Sequence, residues 1–158
     1  MHLIEDSRQQ KGRHEHKHSW WGANGVSLIR CKIAYGDYCL PPVVSVDTKA
    51  SISELAYDIG HDHARFKREV VGARGAGVQL VVLVENEDGV GDLEGLAAWS
   101  ESPENYARRK FAKRRLHGSR LAKACATMEE RCGVRFEFCA PGEAAERIVA
   151  ILKEGGAR

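Results

Sequence analysis

The chain contains no apolar run long enough to cross a bilayer, so no membrane-spanning reading is available. It contains no Gly-x-x-x-x-Gly-Lys phosphate loop. The glycine-rich stretch from Gly72 to Gly77 precedes a strand pattern instead of opening a helix, which argues against a nucleotide-binding protein. No two of its five cysteines form a Cys-x-x-Cys pair, so neither a zinc ribbon nor a thioredoxin-type site is supported. The odd cysteine count implies free thiols and a reducing, cytoplasmic setting. There is no internal repeat and no low-complexity linker. The opening Met1–Asp6 turns acidic at once, unlike a secretion signal. The net charge of +2 is too small to announce a nucleic-acid binder, so the placement of cations matters more than their total.

What remains is a chain of 158 residues, 43% hydrophobic and 29% charged. That is the size and balance of a single globular domain spanning 1–158. A strand is expected at His2–Asp6. The polar, histidine-rich segment 9–24 reads as a loop or arm, its His14, His16 and His18 incidental or DNA-contacting. Strands are expected at Val26–Ile33 and Val43–Lys49, with a Gly36-Asp37 turn and Pro41-Pro42 between them. Ser51 and Glu54 form a capping box for a helix carrying Ile52, Leu55, Ala56 and Ile59 on one face. A second helix is expected near Ala64–Ala73. Val78–Val84 is β-branched and bounded by glycines, the pattern of a buried central strand. Leu93–Trp99 reads as a short helix. Leu121, Cys125, Met128 and Cys132 make a helical stripe that Gly133 ends. A strand at Val134–Phe138 and a closing helix at Gly142–Leu152 follow. These elements predict an α/β fold: a mixed central sheet, antiparallel hairpin strands followed by parallel ones, flanked by helices.

The chemistry concentrates at Val43–Lys49. Residues two apart on a strand share a face, so Asp47 and Lys49 point the same way, and Asp37 can reach that face from the neighbouring hairpin arm. Two carboxylates and one ammonium around a point suit a Mg2+ or Mn2+ ion and a water aimed at a phosphate. Against this stands the ordinary reading of an Asp-x-Lys triplet as an ion pair and of Gly-Asp as turn chemistry.

Leu3-Ile4-Glu5-Asp6-Ser7-Arg8, Gly36-Asp37-Tyr38 and Val46-Asp47-Thr48-Lys49 together resemble the nuclease domain of XPF-type structure-specific endonucleases, in the PD-(D/E)XK superfamily. The likeness continues through Ser53-Glu54-Leu55, Arg65-Phe66 and Val81–Glu85. Gly133–Cys139 and the closing helix look like compact stand-alone versions from bacteria and phages. Only segments 9–24 and 100–117 fall largely outside it. The family's Glu-Arg-Lys is Asp47-Thr48-Lys49 here, and its Asp-x-Arg-Glu is Asp6-Ser7-Arg8-Gln9.

The resemblance implies a restriction-endonuclease-like fold and a divalent-metal-dependent DNA endonuclease. Its substrate would be branched, flap or junction DNA, in repair, recombination or phage DNA processing. It also implies a homodimer. Asp37 and Asp47 become metal ligands, with the Thr48 carbonyl a further oxygen. Lys49 would orient or deprotonate the attacking water, or contact the phosphate. Asp6 would hold a second metal or a water, and Arg8 would clamp a phosphate oxygen, unless the two simply pair at a strand end. Arg65 becomes a phosphate contact. Arg108, Arg109, Lys110, Lys113, Arg114 and Arg115, six cations in eight residues, become a DNA-backbone contact. The alternative is a catalytically inactive nuclease fold that binds DNA or a partner. A ribonuclease on the same fold stays open.

Overall fold

The computed structural model describes residues 1–41, 43–109 and 114–156. Six strands form one sheet. They are β1 (His2–Asp6), β2 (Ser27–Cys31), β3 (Tyr38–Leu40), β4 (Val44–Lys49), β5 (Gln79–Glu85) and β6 (Arg135–Cys139), in the spatial order β2-β1-β3-β4-β5-β6. β3 runs antiparallel to both β1 and β4. β4, β5 and β6 are parallel. The mixed sheet and flanking helices expected from the sequence are therefore present.

One part of the topology differs. β1 and β2 are parallel, not hairpin partners. Parallel neighbours need a long crossover, and the segment read as a loop or arm supplies it as α1 (Glu15–Ala23). The two buried residues of α1 are Lys17 and Trp21, one helical turn apart. A lysine on the buried stripe removes the apolar periodicity by which helices are recognised. Lys17 is tolerated there because it forms a buried ion pair with Glu85 at the end of β5 and lies 5.9 Å above the Tyr38 ring. Trp21 anchors the helix by donating its indole N–H to the Ala145 carbonyl at 2.9 Å.

The remaining helices are α2 (Ile52–Gly60), α3 (His63–Gly75), α4 (Leu93–Ala98), α5 (Pro103–Arg108), α6 (Gly118–Cys132) and α7 (Ala144–Gly156). The side chains of β5 alternate between two cores. Leu80, Val82 and Val84 meet α2, α3, α4 and α6 on one face. Val81 and Leu83 meet α1 and α7 on the other. Each such side chain contributes about 1.5–3 kcal/mol through burial. The expected stops and caps are in place. Ser51 Oγ accepts the Glu54 amide at 3.1 Å, and Gly133 closes α6 in the left-handed conformation, φ +72°. Glu54 reaches back one residue further than a standard box, to the Ala50 amide at 2.8 Å. Among the described residues no helix is long and apolar enough to cross a membrane. Pro42, in the expected break before β4, and Lys110 and Lys113 of the basic segment lie outside the described residues.

Candidate active site

Alternation along β4 sends Val44 and Val46 into the core beneath α7. It sends Ser45, Asp47 and Lys49 to the opposite face, where all three are buried. Lys49 Nζ lies 5.5 Å above the Phe66 ring of α3, so its ammonium sits at the edge of an apolar core. It is held by Asp47 Oδ2 at 2.8 Å and by Asp58 Oδ2, from α2, at 2.6 Å. Burial alone would depress the lysine's pKa. The two carboxylates outweigh it and hold the ammonium above its ordinary range. Lys49 is therefore a fixed cation, which disfavours the expected option of a proton-abstracting base.

Asp47 experiences the reverse. Burial, with Asp37 and Glu69 nearby, pushes its carboxyl up to about 7 against the pull of Lys49. Its side chain is 9% exposed, and Oδ2 faces the Lys49 ammonium at 2.8 Å. A carboxyl perturbed this far by burial and a specific charge partner, at the wall of a cleft, marks a candidate functional group.

Asp37 is placed by backbone bonds on both sides. Its amide donates to the Val46 carbonyl at 2.7 Å, and its carbonyl accepts the Asp6 amide at 2.8 Å. Gly36 permits the turn. Its φ is +73°, and a Cβ there would lie 2.7 Å from Ser45 Oγ and 2.8 Å from the Val46 carbonyl oxygen. Asp37 Oδ2 accepts the Thr48 amide at 2.9 Å and the Thr48 hydroxyl at 2.5 Å. Asp37 Oδ1 accepts the Gln9 side-chain amide. Thr48 thus reaches Asp37 through its own donors, a contact beyond the carbonyl role expected of it.

Asp6 and Arg8 arrive at the same cleft bound to each other. Asp6 Oδ1 accepts the Arg8 amide at 2.9 Å, and Oδ2 accepts Arg8 Nε at 2.7 Å along with Nη2. Burial would raise the Asp6 pKa, but these bonds outweigh it and hold the carboxyl below its usual range. A cation at Asp6 would have to displace a guanidinium, so the strand-end pair, and not a second metal ligand, describes Asp6 here. Arg8 is also fixed to the Ile33 carbonyl at 2.9 Å while much of its side chain stays exposed.

These groups line a cleft of about 570 Å³ that includes Asp6, Arg8, Gln9, Asp37, Asp47 and Arg65. Arg13 and Glu69 are also part of its wall. Arg65 is half-exposed and pairs with Asp62, with Asp58 at 3.2 Å and with Glu69 at 3.7 Å. Among the described residues of 108–115, none lines the cleft. Arg109 forks onto the fully buried Glu101 with two 2.6 Å bonds, and Arg115 Nε donates to the Glu101 carbonyl at 2.7 Å. The exposed cations left there are Arg108 and Arg114. Lys110 and Lys113 fall outside the described residues.

Sequence reading did not single out Asp58 or Glu69 as site residues. Asp58 is four residues beyond the capping Glu54, and Glu69 four beyond Arg65, so both look like ordinary charged helix positions. The one available signal is that Asp58 falls on the edge of the Ile52, Leu55, Ile59 stripe. The histidine run holds no metal cluster. Among the described residues, no three His, Cys, Asp or Glu side chains converge on one point. A magnesium site does not require three, since Mg2+ keeps several waters and is commonly held by one or two carboxylates. Asp37 and Asp47 line the same cleft and supply an all-oxygen donor set, and so fit such an ion.

No protein-family model matches the chain, and comparison with curated proteins finds no match. Among solved structures, XPF from Aeropyrum pernix matches all of this chain with a TM-score of 0.69 at 18% identity. XPF from Aeropyrum pernix in complex with DNA matches 99% of the chain with a TM-score of 0.66 at 15% identity. The chain spans 66% and 65% of those two chains.

Proposed function

The chain has the fold of XPF, and on that premise we propose that it is a divalent-metal-dependent DNA endonuclease that hydrolyses phosphodiester bonds. The observation that carries this reading is the buried Asp47 carboxylate, which lines a cleft together with Asp37 and is paired with Lys49 at 2.8 Å. A structural neighbour in complex with DNA supports the choice of polymer.

In this reading Asp37 and Asp47 hold a Mg2+ or Mn2+ ion. When bound, the ion neutralises charge developing on the phosphate and assists departure of the leaving oxygen. Lys49, kept protonated between Asp47 and Asp58, orients the attacking water and stabilises negative charge in the transition state. Arg8 and Arg65 grip neighbouring phosphates from the cleft wall, Arg8 being aimed by Asp6. Arg108 and Arg114 extend the contact along the DNA backbone. Branched, flap or junction DNA is the substrate class implied by the resemblance in β1, β3 and β4.

A second reading has one specific support. The Lys49 ammonium already engages Asp47 Oδ2 at 2.8 Å, which suits a nuclease fold retained for binding alone. Labelled flap, splayed-arm, four-way and linear DNAs, with RNA alongside, separate the two. They are incubated with Mg2+, Mn2+ or chelator and with wild type, Asp47→Ala or Lys49→Ala. Metal-dependent cutting of DNA that both substitutions abolish is expected. Binding without cutting on every substrate would favour the second reading, and equal cutting by both variants would end the first.

A further inference from the structure

We propose that Gln9 and His14 form a hydrogen-bond relay that positions the Asp37 carboxylate toward a divalent cation. The proposal rests on the metal-site reading above.

Asp37 Oδ2 is fixed by Thr48 from within the sheet, through its amide at 2.9 Å and its hydroxyl at 2.5 Å. The other oxygen is held from outside the sheet. Gln9, in the connection between β1 and α1, donates its side-chain N–H to Asp37 Oδ1. An oxygen accepting one hydrogen bond keeps a second lone pair. Oδ1 therefore keeps a lone pair for a ligand while its direction is set, and Asp37 borders the cleft that Asp47 also lines.

A glutamine amide has two nearly isosteric ends, and only one of them donates. The Asp37 carboxylate, which only accepts, selects the N–H end, and His14 locks that choice from the other side. Its Nε2 lies 2.9 Å from Gln9 Oε1. With the proton on Nε2, His14 donates to that oxygen and leaves the amide nitrogen for Asp37. His14 is itself located by the core, its ring edge-on to the buried Tyr38 ring at 6.5 Å and 78°. The order is thus core, imidazole, amide, carboxylate.

A glutamate at position 9 would set acceptor against acceptor at Asp37 Oδ1 and add a second negative charge there. The amide removes that repulsion and contributes a donor. Gln9 and His14 are positioning residues in this account, since neither is placed to touch a reacting atom. Groups that orient a metal-ligating side chain typically carry 10–100-fold of metal affinity.

Mn2+ binding to the whole protein, measured by titration calorimetry, tests the relay without reference to activity. Gln9→Met keeps the bulk of the side chain and removes the donor. His14→Phe keeps the ring and removes the N–H. His14→Gln restores a donor. Far-UV circular dichroism and the urea midpoint confirm folding for each. The expected result is Mn2+ binding about tenfold weaker in Gln9→Met and His14→Phe, with His14→Gln close to wild type and Asp37→Asn without binding. Wild-type affinity in both Gln9→Met and His14→Phe, with binding still lost in Asp37→Asn, would overturn the relay and leave the metal site standing. No Mn2+ binding by the wild type would overturn the metal site and the relay together.

Discussion

Replacing Asp47 by asparagine should stabilise the metal-free protein at alkaline pH relative to acid pH. Asp47 is buried, and its carboxyl is pushed up to about 7 from the ordinary aspartate value of about 4, chiefly by desolvation. In the unfolded chain it ionises at the lower value. The native state therefore binds its proton more tightly, and its contribution to stability falls as pH rises from about 4 to about 7. Between pH 5 and pH 8 that single titration removes about 2 to 3 kcal/mol, at 1.36 kcal/mol per pKa unit. Asparagine has no proton to lose and still offers Lys49 an oxygen. Urea denaturation of wild type and Asp47→Asn in excess chelator, at pH 5 and pH 8, reads the difference between the two proteins and so cancels every other titration. Asp47→Asn should gain about 2 to 3 kcal/mol on wild type across that interval. A difference that stays flat with pH would refute the claim that burial makes the Asp47 charge costly in the native state.

Lys17→Met should cost about 3–5 kcal/mol, because it strands Glu85 as a buried charge. The double substitution with Glu85→Leu should recover most of the loss in the same denaturation assay. Gly36→Ala should cost roughly 1–3 kcal/mol for its positive φ alone. It should also abolish cleavage by displacing Asp37, and full activity in a folded Gly36→Ala protein would contradict the turn geometry. Arg65→Ala should weaken DNA binding and reduce the slope of log affinity against log salt by about one. An unchanged slope in a fluorescence-anisotropy titration would remove Arg65 from the phosphate contacts.

The features readable in the sequence were those carried by neighbours along the chain. Ser51 and Glu54 sit three apart and cap α2. Leu121, Cys125 and Met128 line one face of α6 and are buried there. The one-face relation of Asp47 and Lys49 follows from the strand period and became a 2.8 Å contact. What the sequence concealed was set by neighbours in space. α1 is hidden from the sequence pattern because its buried stripe holds Lys17, whose partner Glu85 stands 68 residues away. Asp58 meets Lys49 only because α2 folds back over β4. Arg109 and Arg115 read as free cations along the chain, but Glu101 is fully buried and bound to both. The chain's departure from the family pattern at Gln9 was visible from the start, but its consequence was not, because it depends on where Asp37 and His14 come to rest.

The measurement that bears most directly on the whole account is an anomalous difference map from crystals soaked in manganese. The account predicts one peak in the cleft, within about 2.0–2.3 Å of a carboxylate oxygen from each of Asp37 and Asp47, as hard-cation coordination requires. A clean map with no peak between those two aspartates would contradict it.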